Sequence, residues 1–283
     1  MRVGVPSKGR MFEPCISLLS RAGFDFSLTG AERKLSLKCE NFPLEIFFVR
    51  ATDVPSLVKS GAFDLGITGF DLLCEKGTGG VEEAADLGFA RCTLALAAPA
   101  KLGISSVEDL QGMRIATSFP RIASEFFSSR GVRVEIVELN GAVENACRLG
   151  AADAIVDLVA SGATLEANGL AVVETLLDSS ARLVKKSGAI PSGAECEFVA
   201  ALKSVVEGKS RKFLVANAPE SALDAIRGVL PALCAPTVSR LLEPGMISVQ
   251  AVVNERELSS LLPKLGQCGA SGIVVSSVER LVL

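Results

Sequence analysis

Histidine, tyrosine and tryptophan are all absent from this chain of 283 residues. Without imidazole there is no Ser-His-Asp or Cys-His machinery, no histidine base and no His-containing metal site. Any chemistry must run on carboxylates, Lys and Arg, hydroxyls, backbone amides and a metal held by oxygen. Eight cysteines (Cys15, Cys39, Cys74, Cys92, Cys147, Cys196, Cys234, Cys268) are scattered without a C-x-x-C pair, which predicts buried free thiols in a reducing compartment. Cys74, Cys92 and Cys147 have no histidine to pair with and are read as structural rather than activated thiols. No apolar run reaches membrane-spanning length, since the best one, Leu94–Ala100, is broken by Pro99 and followed by Lys101. The N-terminus enters a strand pattern with no signal-peptide layout. These absences predict a soluble, cytoplasmic protein.

What remains is an α/β pattern. Hydrophobic residues make up 49% of the chain and charged ones 22%, a globular balance, and the length predicts two or three domains. A net charge of -3 gives no electrostatic reason to expect nucleic acid, although a local basic pocket stays open. Arg2–Val5 reads as a strand, 6–10 as a turn and Phe12–Ala22 as a helix ending at Gly23. Strands follow around Leu35–Cys39 and over Leu44–Val49, then a short helix capped by Asp53, a strand Phe63–Thr68, and a helix opening at Gly69-Phe70-Asp71. In the next block strands at Thr93–Ala98, Met113–Thr117, Val132–Leu139 and Ala154–Leu158 alternate with helices predicted at 121–130, 142–149 and 163–169. That rhythm spells parallel βαβ units, whose ligands sit at the carboxyl ends of strands. After a helix near 196–207, the segments from Lys212 to Ser276 spell βαββαβ, a ferredoxin-like arrangement with a boundary at 209–211.

The candidate chemistry collects at strand ends. The strand at Ala154–Leu158 delivers Asp157, and Ser161-Gly162-Ala163-Thr164 opens the following helix. Such a start offers backbone N–H groups and hydroxyls to a phosphate, and Asp157 beside it could grip two ribose hydroxyls. The alternative is a simple N-cap at Ser161 and a solvated loop carboxylate. Ser7-Lys8-Gly9-Arg10 follows the first strand, and its cations suit a polyphosphate or merely form a basic turn. Arg50 and Asp71 each follow a strand and read alone as turn or capping residues. Phe119 is open to two readings, stacking on a base or filling the core.

The stretch Glu144-x5-Gly150-x-Ala152-x2-Ile155-x-Asp157-Leu158-x2-Ser161-Gly162-x-Thr164-Leu165 resembles the signature of the ATP phosphoribosyltransferases, the enzymes of the first step of histidine biosynthesis. The likeness extends to Val5–Arg10, to Asp64-Leu65-Gly66-Ile67-Thr68-Gly69-x-Asp71, and to Ala235–Ser239 and Gly269–Ile273 in the tail, as in the long-form enzymes. It implies a two-lobed core similar to type II periplasmic binding proteins, with residues 1–90 and 180–211 as the first lobe and 91–179 as the second. Residues 212–283 would form an ACT-like domain that senses histidine. The implied reaction condenses ATP with 5-phosphoribosyl 1-pyrophosphate (PRPP), releasing pyrophosphate, with Mg²⁺ carried on the substrate phosphates rather than by a dedicated protein cage. By matched position, Ser161, Gly162, Ala163 and Thr164 would hold the PRPP 5′-phosphate, and Asp157 with Glu144 the ribose hydroxyls. Lys8, Arg10 and Arg50 would face the polyphosphates as the catalytic cations. Asp71 and Phe119 would line the ATP side, and Thr237 would contact the inhibitor histidine. AMP as a co-inhibitor and assembly of dimers into hexamers are further implications. The chain departs from the family at Cys147, where proline is frequent, and at Phe119, where tyrosine is frequent. Two other readings share this fold: a non-catalytic solute-binding or sensor protein, and a catalytically dead regulatory subunit.

Overall fold

The structure is a computed structural model that describes residues 1–27, 35–160, 162–230 and 235–283. Its first sheet opens with β1 (Arg2–Pro6), followed by α1 (Phe12–Arg21), β2 (Ser36–Lys38), β3 (Glu45–Val49), α2 (Val54–Lys59), β4 (Leu65–Gly69), α3 (Phe70–Lys76) and β5 (Val81–Asp86). The chain then enters a second sheet through β6 (Cys92–Pro99), β7 (Arg114–Thr117), α4 (Pro120–Ser129), β8 (Glu135–Glu138), β9 (Ala154–Val159), α5 (Ala163–Ala167) and β10 (Leu170–Ser179), and returns to the first as β11 (Ala181–Lys186).

Both sheets follow one plan. The first has the order β2-β3-β1-β4-β11-β5 and the second β10-β6-β9-β7-β8. In each, parallel strands are joined by helices, and an antiparallel strand (β11 in the first, β6 in the second) is delivered by the crossing from the other sheet; the first also carries β2 antiparallel on its edge. This is the two-lobed plan of type II periplasmic binding proteins. The sheets are therefore mixed, where βαβ rhythm alone predicted parallel pairing. Each is buried on both faces, as a sheet covered by helices must be. In the second, Leu94, Leu96, Ile115 and Val156 pack on one face, and Ala97, Ala116, Ile155 and Leu165 on the other. In the first, β4 is buried at every residue, and a Cβ at Gly66 would overlap Val54 of α2, so the helix seats directly on the strand.

The segment 142–149 is not the predicted helix. Ala142 has φ +50°, and after it come a single 3-10 turn (Val143–Asn145) and bonded turns to Gly150. Only Val143 and Ala146 are buried there, too little apolar surface to repay a regular helix. The strands β5, β10 and β11 carry no predicted counterpart. In β10 two register shifts against β6 spoil the alternation by which a strand is read. Asp53 stands at the N-cap of α2 as expected, but its side chain makes no capping bond. Among the described cysteines only Cys15 and Cys92 are buried as expected; Cys39, Cys74, Cys147 and Cys268 are half-buried and Cys196 is exposed. Cys234 lies outside the described residues.

The chain divides into two compact units, Met1–Ser20 with Phe24–Cys196, and Arg21–Gly23 with Glu197–Leu283. In the second, α6 (Gly193–Lys209) leads into β12 (Arg211–Pro219), α7 (Leu223–Val229), β13 (Thr237–Arg240), β14 (Met246–Asn254), α8 (Leu258–Gln267) and β15 (Ser271–Ser277). The antiparallel order β13-β14-β12-β15 is that of a ferredoxin-like sheet, and Leu214, Ala216, Ile247, Val249 and Val253 join Ile226, Leu261 and Leu265 of the helices in its core. The unit begins inside α6, earlier than the boundary read at 209–211. The C-terminal tail explains this: the Leu281 N–H donates to the Ser204 carbonyl at 2.8 Å, and the Arg280 backbone lies against Gly208. No helix among the described residues is long and apolar enough to cross a membrane.

Candidate active site

Parallel pairing of β1 with both β3 and β4 brings three loops to one sheet edge. Lys8 and Arg10 follow β1, Arg50 follows β3, and Asp71 follows β4, so charges that were scattered in sequence share one rim. The same logic in the second sheet, where β7 pairs in parallel with β9, sets Phe119 and the Gly162 start of α5 at one edge. Carboxyl ends of parallel strands are where α/β folds bind ligands.

Asp71 is the most enclosed charge at the first rim, with 1% of its surface exposed. The Ser179 hydroxyl donates to its Oδ1 at 2.6 Å, and the Asp71 backbone N–H donates to Ser179 Oγ at 3.0 Å. Its other oxygen faces the Arg10 guanidinium at 3.7 Å, an ion pair without hydrogen-bond contact. A Cβ at Gly69 would overlap Asp71 Oδ1, so glycine is required there by close approach. Cys92 adjoins this cluster. Burial pushes its thiol pKa up, Arg10 pulls it down and Asp71 pushes it up again, and the net result is a thiol held protonated. Lys8 and Arg50 are exposed, and neither forms an ion pair among the described residues, which leaves both cations available to a ligand.

At the second rim, Asp157 is half-buried. Burial raises its pKa most; the Leu158 N–H, donating to its Oδ1 at 2.8 Å, lowers it, and the half-buried Glu144 raises it again by like charge. Ser161 lies outside the described residues. The N-cap of α5 is Gly162, not Ser161, with φ +79°, a left-handed conformation that glycine adopts without steric cost. Thr164 is exposed on the first turn, and Asn168 Nδ2 ties the far end of α5 to the Thr164 carbonyl at 2.9 Å. Phe119 is a core residue: it is 4% exposed and packs among Leu94, Ile115, Ala123 and Phe127, which settles its two readings against a stacking role. Thr237 stands exposed on the edge strand β13.

Two residues of the site escaped sequence reading. Ser179 ends β10, whose bulges hid the strand. Glu75 on α3 accepts hydrogen bonds from the backbone N–H groups of Arg121 (2.9 Å) and Ile122 (3.0 Å), and so caps α4 from the other lobe. A capping acid that lies 46 residues before the Arg121 N–H it receives leaves no local signal.

The family model "HisG: ATP phosphoribosyltransferase" matches residues 50–204, and "HisG, C-terminal domain" matches 209–280. The chain belongs to the ATP phosphoribosyltransferase family. An ATP phosphoribosyltransferase of Methanopyrus kandleri is 41% identical over 99% of both chains, and one of Halobacterium salinarum is 40% identical over the full length of both. Among solved structures, "ATP phosphoribosyl transferase (HisG:HisZ) complex from Thermotoga maritima" aligns with a TM-score of 0.63 at 28% identity, covering 73% of this chain and 98% of that one. The match to both family models disfavours the non-catalytic sensor reading. The enzyme is a pentosyltransferase of histidine biosynthesis that uses ATP and PRPP.

Proposed function

We propose that the two rims divide the transferase reaction between them. PRPP is held at the second rim, its 5′-phosphate on the Ser161–Thr164 helix start and its ribose hydroxyls on Asp157, assisted by Glu144. The first rim, with Lys8, Arg10 and Arg50, takes the pyrophosphate and triphosphate charge, and Asp71 lines the ATP side. Adenine N1 attacks the ribose anomeric carbon with its own lone pair as the bond to pyrophosphate breaks, and pyrophosphate departs with that electron pair. No nucleophile has to be deprotonated first, so the chemistry runs without imidazole. What remains is alignment and stabilisation of a leaving anion, which fixed cations supply.

The observation that carries this reading is the shared rim of Lys8, Arg10, Arg50 and Asp71, set by parallel pairing of β1 with β3 and β4. Mg²⁺ is read as arriving on the substrate phosphate oxygens, where it would neutralise pyrophosphate charge. The catalytic core is read as 1–90 with 180–211 and 91–179. The ferredoxin-like domain, read from 212, senses histidine with Thr237 among its contacts, AMP acts as co-inhibitor, and the assembly is a dimer-based hexamer in the cytoplasm.

Incubating the protein with ATP, PRPP and Mg²⁺ should yield phosphoribosyl-ATP and pyrophosphate in equal amounts. Alanine at Lys8, Arg10 and Arg50 should each slow turnover, whereas unchanged rates in all three would refute the assignment of the first rim. Histidine should inhibit the full-length enzyme, and Thr237→Ala should weaken that inhibition without changing the uninhibited rate.

A further inference from the structure

We propose that Ser179 is a positioning residue for phosphoribosyl transfer: its hydroxyl fixes the Asp71 carboxylate, and through it the direction of the Arg10 guanidinium. The inference rests on the proposed roles of Arg10 and Asp71. Ser179 makes contacts in both sheets. As the last residue of β10 it pairs with Cys92 in the second sheet. The antiparallel ladder of β11 with β4 runs from Ala181↔Gly69 into the Phe70 N–H donating to the Ser180 carbonyl at 3.0 Å, and the next step sets Ser179 opposite Asp71. One residue on the returning chain thus belongs to both lobes.

The bonding at Ser179 leaves the carboxylate no choice of orientation. The hydroxyl has one proton and gives it to Asp71 Oδ1, while its lone pair receives the Asp71 backbone N–H. Among the described residues, Ser179 is the one side chain within hydrogen-bond distance of this buried acid. With Oδ1 committed, Oδ2 is turned to Arg10, whose side chain remains 36% exposed and keeps further N–H groups for an anion. Loss of the hydroxyl frees the carboxylate to rotate or to draw Arg10 into a direct bond, and either shift withdraws the guanidinium from its working direction. Cys92 also contacts Arg10 and Ser179, but a thiol is a weaker donor than the Ser179 hydroxyl.

The test is steady-state kinetics of Ser179→Ala, Asp71→Asn and the double variant in the full chain, with thermal unfolding in parallel. Ser179→Ala should lower kcat roughly tenfold to a hundredfold, the range for a misplaced catalytic group, while KM for PRPP stays near the wild-type value. The double variant should be no slower than Asp71→Asn alone, because Ser179 acts through Asp71. Gly69→Ala, whose methyl overlaps Asp71 Oδ1, breaks the same hydrogen bond from the other side and should give the same kcat loss. It carries the test should Ser179→Ala fail to fold. Wild-type kcat in a folded Ser179→Ala, or losses that simply multiply in the double variant, would overturn the inference. Wild-type kcat in Asp71→Asn would instead overturn the reading of the site beneath it.

Discussion

The two acids at the rims, Asp71 and Asp157, are opposites in how they are held. Asp71 is sealed, fastened by the Ser179 hydroxyl and facing the Arg10 guanidinium, so its partners lie inside the protein. Asp157 is half-buried with one backbone N–H as partner, and Glu144 adds a like charge nearby. Burial without compensation is a cost, and folded proteins keep such costs where a ligand will repay them. The contrast suggests a first rim built in advance and a second completed by substrate, consistent with ribose hydroxyls donating to Asp157 on binding.

The comparison can be tested from its strongest point down. Arg10→Ala should slow turnover on the order of 10²-fold or more if the guanidinium stabilises the leaving pyrophosphate. Near-normal kinetics would move Arg10 to the surface and dissolve the claim of a prebuilt rim. At the second rim, Thr164→Ala should cost roughly 1.5–3 kcal/mol of PRPP binding, the worth of a hydrogen bond to a charged phosphate. An unchanged Kd by calorimetry would refute that contact. Glu75→Ala, which uncaps α4 across the lobes, should lower stability by about 1 kcal/mol in urea unfolding. Glu125→Ala on the exposed face of the same helix is the control, and an equal loss there would deny the cap its role.

The smallest effect is also the sharpest, because it reads the burial of Asp157 alone. Burial raises the pKa of Asp157 in the fold. Below the ordinary carboxylate value both folded and unfolded states are protonated, and the group costs nothing. As pH rises through the window between the ordinary and the raised value, the unfolded chain ionises first, and stability is lost. Asp157→Asn should therefore raise the unfolding temperature at neutral pH while depressing activity, and the gain should vanish in acid. A lower Tm at neutral pH would show that Asp157 is compensated in the free enzyme after all. Asp71→Asn should do the reverse and lower Tm, since it leaves the Ser179 hydroxyl and Arg10 without their buried anion.

Much of this was legible along the chain. Short-range periodicity gave β1, α1, β4, β6, α4, β9 and the whole βαββαβ tail, because strand alternation and helix spacing are local properties of the residues themselves. The Glu144–Leu165 signature likewise carried the family. Where the reading failed, the reason lay outside the local window. The helix expected at 142–149 lost to a turn with too little apolar surface to bury, and the bulges of β10 hid its alternation.

The sequence by itself determined which chemistry is excluded, since a chain with no imidazole cannot use a histidine base, and its signature carried the family. Only the tertiary structure decided which charges meet. Parallel pairing gathered Lys8, Arg10, Arg50 and Asp71, and the return of the chain set Ser179 against an acid 108 residues earlier. Residue type and spacing fix what a side chain can do and how its own strand or helix forms. Partnership between distant residues is fixed by register, and register is set by the burial of the whole sheet.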